Sequence, residues 1–189
     1  MHALAYLLRG ITSILKKIIN IVRICWLRAL YPGLYIDFSC NIDPNCAIKC
    51  VKGGRLTIRN TSVLNGTQII VDAGASVIID NAFIGRNCVI TAKSSIHIRK
   101  GSLLAEMVVV RDQDHMLDVS EETGQREGFS TASIEIGENV WIASKATILK
   151  GVSIGNSSVV AASSVINKSI PPKQVWGGLP GRFLKNIEQ

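Results

Sequence analysis

The chain has three histidines, the residue type whose side chain exchanges protons near neutral pH. His97 lies at an outward position of an Ile-His-Ile stretch, which favours an exposed strand residue, and His2 belongs to a predicted amphipathic helix. His115 instead ends the segment Asp112-Gln113-Asp114-His115. This pattern suits general acid–base chemistry, with Asp112 or Asp114 holding the imidazole in one tautomer. The alternative is a solvated acidic turn.

The five cysteines could offer metal chemistry instead. Cys40, Cys46 and Cys50 lie close together, but they contain no Cys-x-x-Cys pair and have no histidine nearby, so we predict no metal site. Cys88 occupies a small-residue position of a repeat and is expected at the edge of the core. An odd number of cysteines without a secretory signature favours a reducing cytoplasm.

The elements that position these residues are indicated by an aliphatic repeat. Isoleucine or valine recurs at every sixth position at Ile136, Ile142, Ile148, Ile154, Val160 and Ile166. A period of six fits neither the 3.6 of a helix nor the simple alternation of a strand. It fits a chain that turns a corner every six residues, so that inward aliphatic side chains stack from coil to coil. The repeat begins at Ile36, and it predicts a mainly β solenoid of about six coils over residues 34–172.

The repeat breaks at residues 111–133, which lack aliphatic periodicity and contain His115. Long segments of this kind inside a compact domain are usually functional. We therefore expect residues 111–133 to form a catalytic loop.

The formal net charge of +7 is concentrated at the N-terminus. Residues 1–31 contain five basic side chains, and no acidic residue precedes Asp37. The rest of the chain has 16 basic residues against 14 acidic ones, so we predict no nucleic-acid partner.

Residues 2–30 are predicted to form an amphipathic helix, which with its end at Pro32-Gly33 makes an N-terminal unit of residues 1–33. Its uncharged runs are shorter than the about 20 residues that a spanning helix needs. An interfacial helix fits better, with the apolar face in the acyl boundary and the basic stripe toward anionic headgroups. This predicts a cytoplasmic protein at the inner face of the bacterial membrane, held through residues 1–31. The alternative is a helix buried in an oligomer contact.

The repeat is followed by Pro171-Pro172 and then by Gly178-Leu179-Pro180-Gly181-Arg182. Over residues 84–186 the chain resembles the left-handed parallel β-helix acyltransferases of the hexapeptide-repeat family. With its Asp-x-Asp-His segment it is most similar to bacterial polysaccharide O-acetyltransferases of the colanic-acid, O-antigen and galactoside type. The resemblance implies a left-handed coil, a homotrimer, acetyl-CoA as co-substrate, a sugar or glycan acceptor and His115 as the base.

The resemblance also implies a donor site between neighbouring subunits. Backbone amides at small residues hold the thioester there, and the matching positions are Ala105, Ser144 and Ala162, with Asn167 and Lys168 further along. Arg182 and Lys185 correspond to cations that meet the nucleotide phosphates, on a loop and short helix predicted over residues 173–189. Trp141 either walls the acetyl end of the donor or caps the coil. Gly85 stands where galactoside relatives have an asparagine that helps to place the acceptor, so acceptor recognition is expected to differ.

These features predict an acetyl-CoA-dependent O-acetyltransferase of bacterial surface-polysaccharide biosynthesis, acting by direct transfer. One rival is an enzyme of the same class that acts on a soluble sugar or a nucleotide sugar. The other is a protein of a different class, either a metal-dependent enzyme or a non-catalytic solenoid scaffold.

Overall fold

The computed structural model describes residues 2–116 and 128–188, and it describes side chains from Thr12 onward. The central part of the predicted catalytic loop, residues 117–127, therefore lies outside the described residues. One helix, α1 (His2–Leu30), precedes the strands, as predicted.

The strands form three sheets, and each coil gives one strand to each sheet, with the strands of successive coils running parallel. The first sheet contains β1 (Leu34–Ile36), β4 (Arg55–Arg59), β7 (Ser76–Asp80), β10 (Ser95–Ile98), β15 (Ile134–Ile136) and β18 (Ser153–Ile154). The second contains β2 (Asn41–Ile42), β5 (Ser62–Val63), β8 (Phe83–Ile84), β11 (Leu103–Leu104), β16 (Trp141–Ile142), β19 (Val159–Val160), β21 (Gln174–Gly178) and β22 (Gly181–Asn186). The third contains β3 (Ala47–Cys50), β6 (Gln68–Val71), β9 (Val89–Ala92), β12 (Val109–Arg111), β17 (Thr147–Ile148) and β20 (Val165–Ile166). A separate antiparallel ribbon consists of β13 (Gln113–His115) and β14 (Phe129–Thr131).

The aliphatic repeat lines the core as predicted. In the first sheet Ile98 pairs with Ile136, and Ile136 pairs with Ile154. In the second sheet Leu104 pairs with Ile142 in the same manner. These side chains are at most 2% exposed, so each coil stacks its aliphatic residues on those of the next. The predicted β-solenoid of about six coils is confirmed.

Small hydroxyl and thiol side chains fill the corners between coils. The Thr67 hydroxyl donates to the Gly85 carbonyl at 2.7 Å and accepts from the Cys88 N–H at 3.2 Å. The Ser102 hydroxyl bridges Gly137 and Val140 in the same way. Cys88 is fully buried at such a corner, which confirms its predicted place at the core edge.

Helix α1 lies across the open end of the first coil, with its polar side chains facing the coil. Asn20 donates to the Cys40 carbonyl at 2.7 Å and accepts from the Ile42 N–H at 3.1 Å. Arg23 donates to the carbonyls of Ile42, Asp43 and Cys46. The expectation that the whole polar stripe faces lipid headgroups is therefore wrong at Asn20 and Arg23, because the first coil has unpaired carbonyls that need donors.

The opposite face of α1 is apolar and exposed. Ile24 and Leu27 pack into the core, whereas Ile14 and Val22 are 61% and 62% exposed. The further exposed apolar side chains on α1 are Leu15, Ile18, Ile19, Ile21, Trp26 and Leu30. Among the described helical residues, no stretch is long and apolar enough to cross a bilayer.

The C-terminal segment forms a β-hairpin, so the predicted short helix is wrong. β21 pairs in parallel with β19, and β22 returns antiparallel to β21. The last coil would otherwise leave the edge of β19 unpaired, and a strand satisfies those backbone groups where a helix cannot. The turn contains a cis peptide bond before Pro180.

Candidate active site

Asp112 anchors the ribbon that carries His115. Its carboxylate is buried, with one oxygen accepting from the Lys93 N–H at 2.8 Å and the other from the Ser94 N–H at 2.8 Å. Its carbonyl also accepts from the Ala132 N–H at 3.0 Å, across the two ends of the excursion. Asp112 therefore fixes the base of the ribbon to the preceding coil.

His115 is exposed and lies opposite Phe129 on the ribbon. The two rings are 4.3 Å apart between centroids and tilted by 41°. The Lys93 ammonium lies 4.0 Å from the centroid of the Phe129 ring and also pairs with Asp72. In space, the Phe129 ring therefore lies between the Lys93 ammonium and the His115 imidazole. It packs against one side of the imidazole ring.

Phe129 and Lys93 were not among the site residues predicted from the sequence. Phe129 is the only Phe, Tyr or Trp within residues 111–133, and this was the one available signal. No sequence pattern indicated Lys93, since its contact with Phe129 depends on how the ribbon folds back over the coil.

Asp114 forms an ion pair with Lys150, with 3.2 Å between the carboxylate and the ammonium. The Lys150 ammonium also donates to the Ser130 hydroxyl at 2.8 Å, so it connects both strands of the ribbon to the next coil. Asp112 and Asp114 thus have partners other than His115. A tautomer-setting role for either residue stays a prediction.

The predicted residues Ala105, Trp141, Ser144 and Ala162 lie together in one groove of about 540 Å³. The groove runs along the stacked turns between the second and third sheets. In these turns the Lys145 N–H donates to the Glu106 carbonyl at 3.0 Å, and the Ser163 N–H donates to the Ser144 carbonyl at 2.9 Å. Small side chains at the outer positions leave the backbone of these turns accessible.

The N–H groups of Ser144 and Ala162 have no hydrogen-bond partner among the described residues. Both lie in the groove and can donate to an oxygen that gains negative charge. The Ala105 N–H differs, because it donates to the Ile142 carbonyl at 2.9 Å in the strand ladder. Ala105 therefore offers the groove a small side chain and no amide donor.

A larger and mostly apolar cavity of about 640 Å³ adjoins this groove. The two share Ala105, Glu106 and Trp141, and the indole of Trp141 is half-exposed between them. The apolar lining also includes Leu64, Phe83, Leu103 and Met107. A Cβ on Gly85 would approach the Ala105 carbonyl carbon to 2.6 Å, so this wall has no room for a side chain at position 85.

The groove continues toward the C-terminal hairpin. Trp141, Val159 and Val175 are consecutive partners in the second sheet, and Val175 pairs with Lys185. Three strand steps make about 14 Å from Trp141 to Lys185. Lys185 lines a further cavity with Val159, and Arg182 is exposed on the same strand.

The predicted residues divide between two corners of the solenoid. Asn167 and Lys168 follow β20 at the corner between the third and first sheets, where the His115 ribbon also begins. The groove with Trp141 and Ser144 lies at the other corner, between the second and third sheets. No residue of the ribbon lines that groove among the residues described.

Cys88 lies behind the groove, with its thiol 3.0 Å from the Ala105 carbonyl. Burial raises the pKa of Cys88 to about 11, so the thiol stays neutral and is unsuited to nucleophilic attack.

His97 lies at the outward position predicted for it, on the first sheet. It is within ion-pair distance of Glu135 at 3.5 Å and of Asp80 at 3.8 Å. In the part of the chain that the structure describes, no three His, Cys, Asp or Glu side chains form a group that could hold a metal ion.

The fold and the six-residue repeat define a hexapeptide-type β-solenoid. The family model for the bacterial transferase hexapeptide (six repeats) matches residues 133–168, and that for the hexapeptide repeat of succinyl-transferase matches residues 76–110. The two matches lie within the repeat region and confirm the predicted resemblance to the hexapeptide-repeat family.

Two relatives come from Escherichia coli (strain K12). Galactoside O-acetyltransferase is 34% identical over 107 residues, covering 57% of this chain and 52% of the relative. WbbJ, named for O-acetyl transfer in lipopolysaccharide biosynthesis, is 29% identical over 145 residues, covering 68% and 74%. The chain spans between 36% and 60% of the length of the first curated relatives it matches.

A solved structure from Vibrio cholerae O1 biovar eltor has the same fold. It is a hexapeptide-repeat-containing acetyltransferase complexed with acetyl-CoA, with a TM-score of 0.54 and 24% identity. The match covers 97% of this chain and 89% of that chain.

Proposed function

We propose that the protein is an acetyl-CoA-dependent O-acetyltransferase of bacterial surface-polysaccharide biosynthesis. Its acceptor is a sugar hydroxyl, and lipid-linked glycans are the acceptors we favour. The observation that carries the proposal is the groove in which Trp141 and the small residues lie beside the N–H groups of Ser144 and Ala162, which have no partner among the described residues. Relatives named for acetyl transfer to galactosides and for lipopolysaccharide biosynthesis support a sugar acceptor.

His115 is the general base in this proposal. Acetyl-CoA supplies the activated acetyl group. His115 takes the proton of the sugar hydroxyl as the hydroxyl oxygen attacks the acetyl carbon, and it then returns that proton to the departing sulfur. The transfer is direct, because Cys88, the only cysteine next to the groove in the described part of the chain, is buried and neutral.

The backbone of the stacked turns is the second part of the proposed machinery. The N–H groups of Ser144 and Ala162 stabilise the negative charge that develops on the acetyl oxygen. Trp141 forms a wall of the groove and excludes water from the reacting atoms. Ala105, through its small side chain, leaves space for the donor beside Trp141.

The nucleotide end of the donor is proposed to lie at the C-terminal hairpin. Arg182 and Lys185 are exposed there, and the groove leads to them along the second sheet. Guanidinium and ammonium groups suit phosphates because charge-assisted hydrogen bonds are strong. Asn167 and Lys168 are proposed to contact the donor from the other corner.

A homotrimer would complete the site. The groove and the His115 ribbon lie at different corners of one chain, so a base and a donor at these places do not meet within that chain. In a ring of three copies related by one rotation axis, the corner of one subunit that carries the His115 ribbon can lie against the corner of its neighbour that carries the groove.

We also place the protein at the inner face of the bacterial membrane. The support is the exposed apolar face of α1, which includes Ile14, Ile18 and Val22. Because Ile24 and Leu27 hold the helix on the solenoid, this face points away from the protein. Such a location would place the enzyme close to lipid-linked glycans.

The central test is acceptor-dependent release of CoA thiol by His115→Ala. We expect a loss of at least about 100-fold, the usual lower bound for removal of a general base. His97→Ala is the matched control, since this histidine lies on the outer face of the first sheet, and it should retain activity within a few-fold. Activity of His115→Ala within a few-fold of the wild type would refute the general-base role.

A panel of glycans incubated with acetyl-CoA identifies the acceptor class through the mass of one added acetyl group. Lipid-linked glycans should be acetylated in preference to free sugars and nucleotide sugars. Preference for a free sugar or a nucleotide sugar would instead support the soluble-substrate alternative. Transfer to no member of the panel would contradict the proposed activity.

A further inference from the structure

The docking of α1 determines which of its cations remain available to a ligand. Arg23 is engaged by coil carbonyls, and Arg28 donates to the Ile36 carbonyl and lies over the rings of Tyr35 and Phe38. Lys16 and Lys17 are exposed, and neither has an ion pair among the described side chains. These two lysines are the cations that α1 presents to its surroundings between Thr12 and Leu30.

Both lysines line one groove of about 540 Å³ between α1 and the first coil. Further hydrogen-bonding groups in this groove come from Ser13, Asn20, Ser39 and Asn41. No acidic residue lines it among the described residues. A neighbouring groove of about 400 Å³ also contains Lys16, but there Asp43 contributes a negative charge.

The cationic groove adjoins the exposed apolar face of α1. Ile21 and Phe38 line it, and their side chains are 44% and 51% exposed. A ligand that fits must therefore combine an anionic group for the lysines with an apolar part that lies along the helix. A phospholipid has this composition, whereas a soluble phosphate lacks the apolar part.

We propose that the groove formed by Lys16, Lys17, Ser39 and Asn41 binds the headgroup of an anionic phospholipid. The acyl chains lie against the apolar face of α1, and the lysines bind the phosphate. This site lies at the first coil and is separate from the active-site groove at the later coils. The inference rests on the proposed membrane contact, and it assigns the headgroup contact to the groove of Lys16 and Lys17 instead of the whole basic stripe.

The test is flotation of the full chain with vesicles, without acetyl-CoA or acceptor. Vesicles contain neutral phosphatidylcholine, either alone or mixed with phosphatidylglycerol. We expect the wild type to bind the mixed vesicles more tightly, and the double substitution Lys16→Gln/Lys17→Gln to weaken that binding roughly 30-fold, given the usual contribution of a lysine at an anionic surface. Binding to neutral vesicles should change little.

The matched control is Lys49→Gln/Lys52→Gln, which removes the same charge from two exposed lysines outside the groove. This variant should keep the preference for phosphatidylglycerol. Equal loss in the two double variants, or equal binding of the wild type to both vesicles, would overturn the headgroup site. Binding to neither vesicle would overturn the membrane contact as well.

Two parallel measurements separate this proposal from the others. Sedimentation without lipid reports whether the groove lies between copies of the chain. A changed assembly size in Lys16→Gln/Lys17→Gln with unchanged vesicle binding would overturn the lipid proposal. Acetyl transfer to a soluble acceptor should be equal in the wild type and in both double variants, whereas transfer by the wild type to no member of the glycan panel would count against the proposed activity alone.

Discussion

His115 is the residue on which the proposed chemistry depends, and its position is set by contacts at both ends of the ribbon. Asp112 fixes the ribbon base to the backbone of Lys93 and Ser94, and Lys150 connects both strands to the next coil. Phe129 then limits the imidazole on one side. Each contact restricts the His115 imidazole before any substrate binds. Such restriction lowers the entropy cost of reaching a reactive geometry.

Phe129→Ala should lower kcat by about tenfold to 100-fold, because the imidazole loses the ring that positions it. The KM for acetyl-CoA should change little, since Phe129 does not line the donor groove. Phe129→Tyr keeps the ring and should restore most of the activity. Steady-state kinetics of the two variants measure this difference.

Thr131→Ala is the control, because it also changes an exposed residue of the same strand. It should leave kcat within a few-fold of the wild type. If Phe129→Ala and Thr131→Ala had equal activity, the aromatic contact would have no positioning role.

At the scale of elements, the sequence predicted where α1 lies along the chain but not which way it faces. Its polar stripe indicated an amphipathic helix, and we predicted that this stripe faces lipid headgroups. The unpaired carbonyls of the first coil bind Arg23 instead, and the apolar side is left outside. Periodicity identifies residues that share a face, but it gives no information about what that face contacts.

The C-terminal hairpin was mispredicted for a related reason. Arg182 and Lys185 were assigned to a helix, whereas the unpaired edge of β19 requires a strand at this end. The requirement for a strand arises from the neighbouring coil, so residues 173–189 themselves contain no sequence pattern that predicts it. Both ends of the solenoid thus depend on contacts between elements, which a repeat pattern cannot show.

Arg23→Ala should lower the free energy of unfolding by about 2 to 3 kcal/mol, because it leaves carbonyls of the first coil without their charged donor. Urea unfolding followed by circular dichroism measures the change. Lys52→Ala, at an exposed lysine in the turn after β3, should shift the stability by no more than about 0.5 kcal/mol. Equal stabilities of the two variants would show that α1 contributes little to closing the coil.

At the scale of the whole molecule, the repeat predicted the solenoid well. Ile136, Ile142 and Ile148 lie on three sheets in the order that a six-residue turn requires, and all are buried. Trp141, Ser144 and Ala162 were predicted from the family resemblance, and they lie in one groove because residues one coil apart stack. The proposed meeting of this groove with a His115 ribbon requires association between copies, and the repeat pattern gives no information about such an arrangement.

Mixed assemblies test whether two subunits share one site. His115→Ala and Ala162→Leu should each abolish transfer when expressed alone, since one lacks the base and the other fills the donor groove. Coexpression should restore part of the activity, because some interfaces then combine an intact ribbon with an intact groove. Acceptor-dependent thiol release from the copurified mixture measures the recovery, and wild-type protein mixed with Ala162→Leu is the reference.

Absence of recovery, in mixtures shown by mass spectrometry to contain both chains in one assembly, would contradict a shared site. The base and the donor would then have to meet within one chain.

The closure of the two solenoid ends has a consequence for how the chain associates with itself. Every coil offers the next one a row of backbone donors and acceptors, and a bare end would offer the same row to another molecule, as exposed sheet edges do in fibres. Asn20 and Arg23 occupy that row at the first coil, and β21 occupies it in the second sheet at the last coil. A repeat that could continue indefinitely is thus limited to one molecule by the two segments that do not follow it.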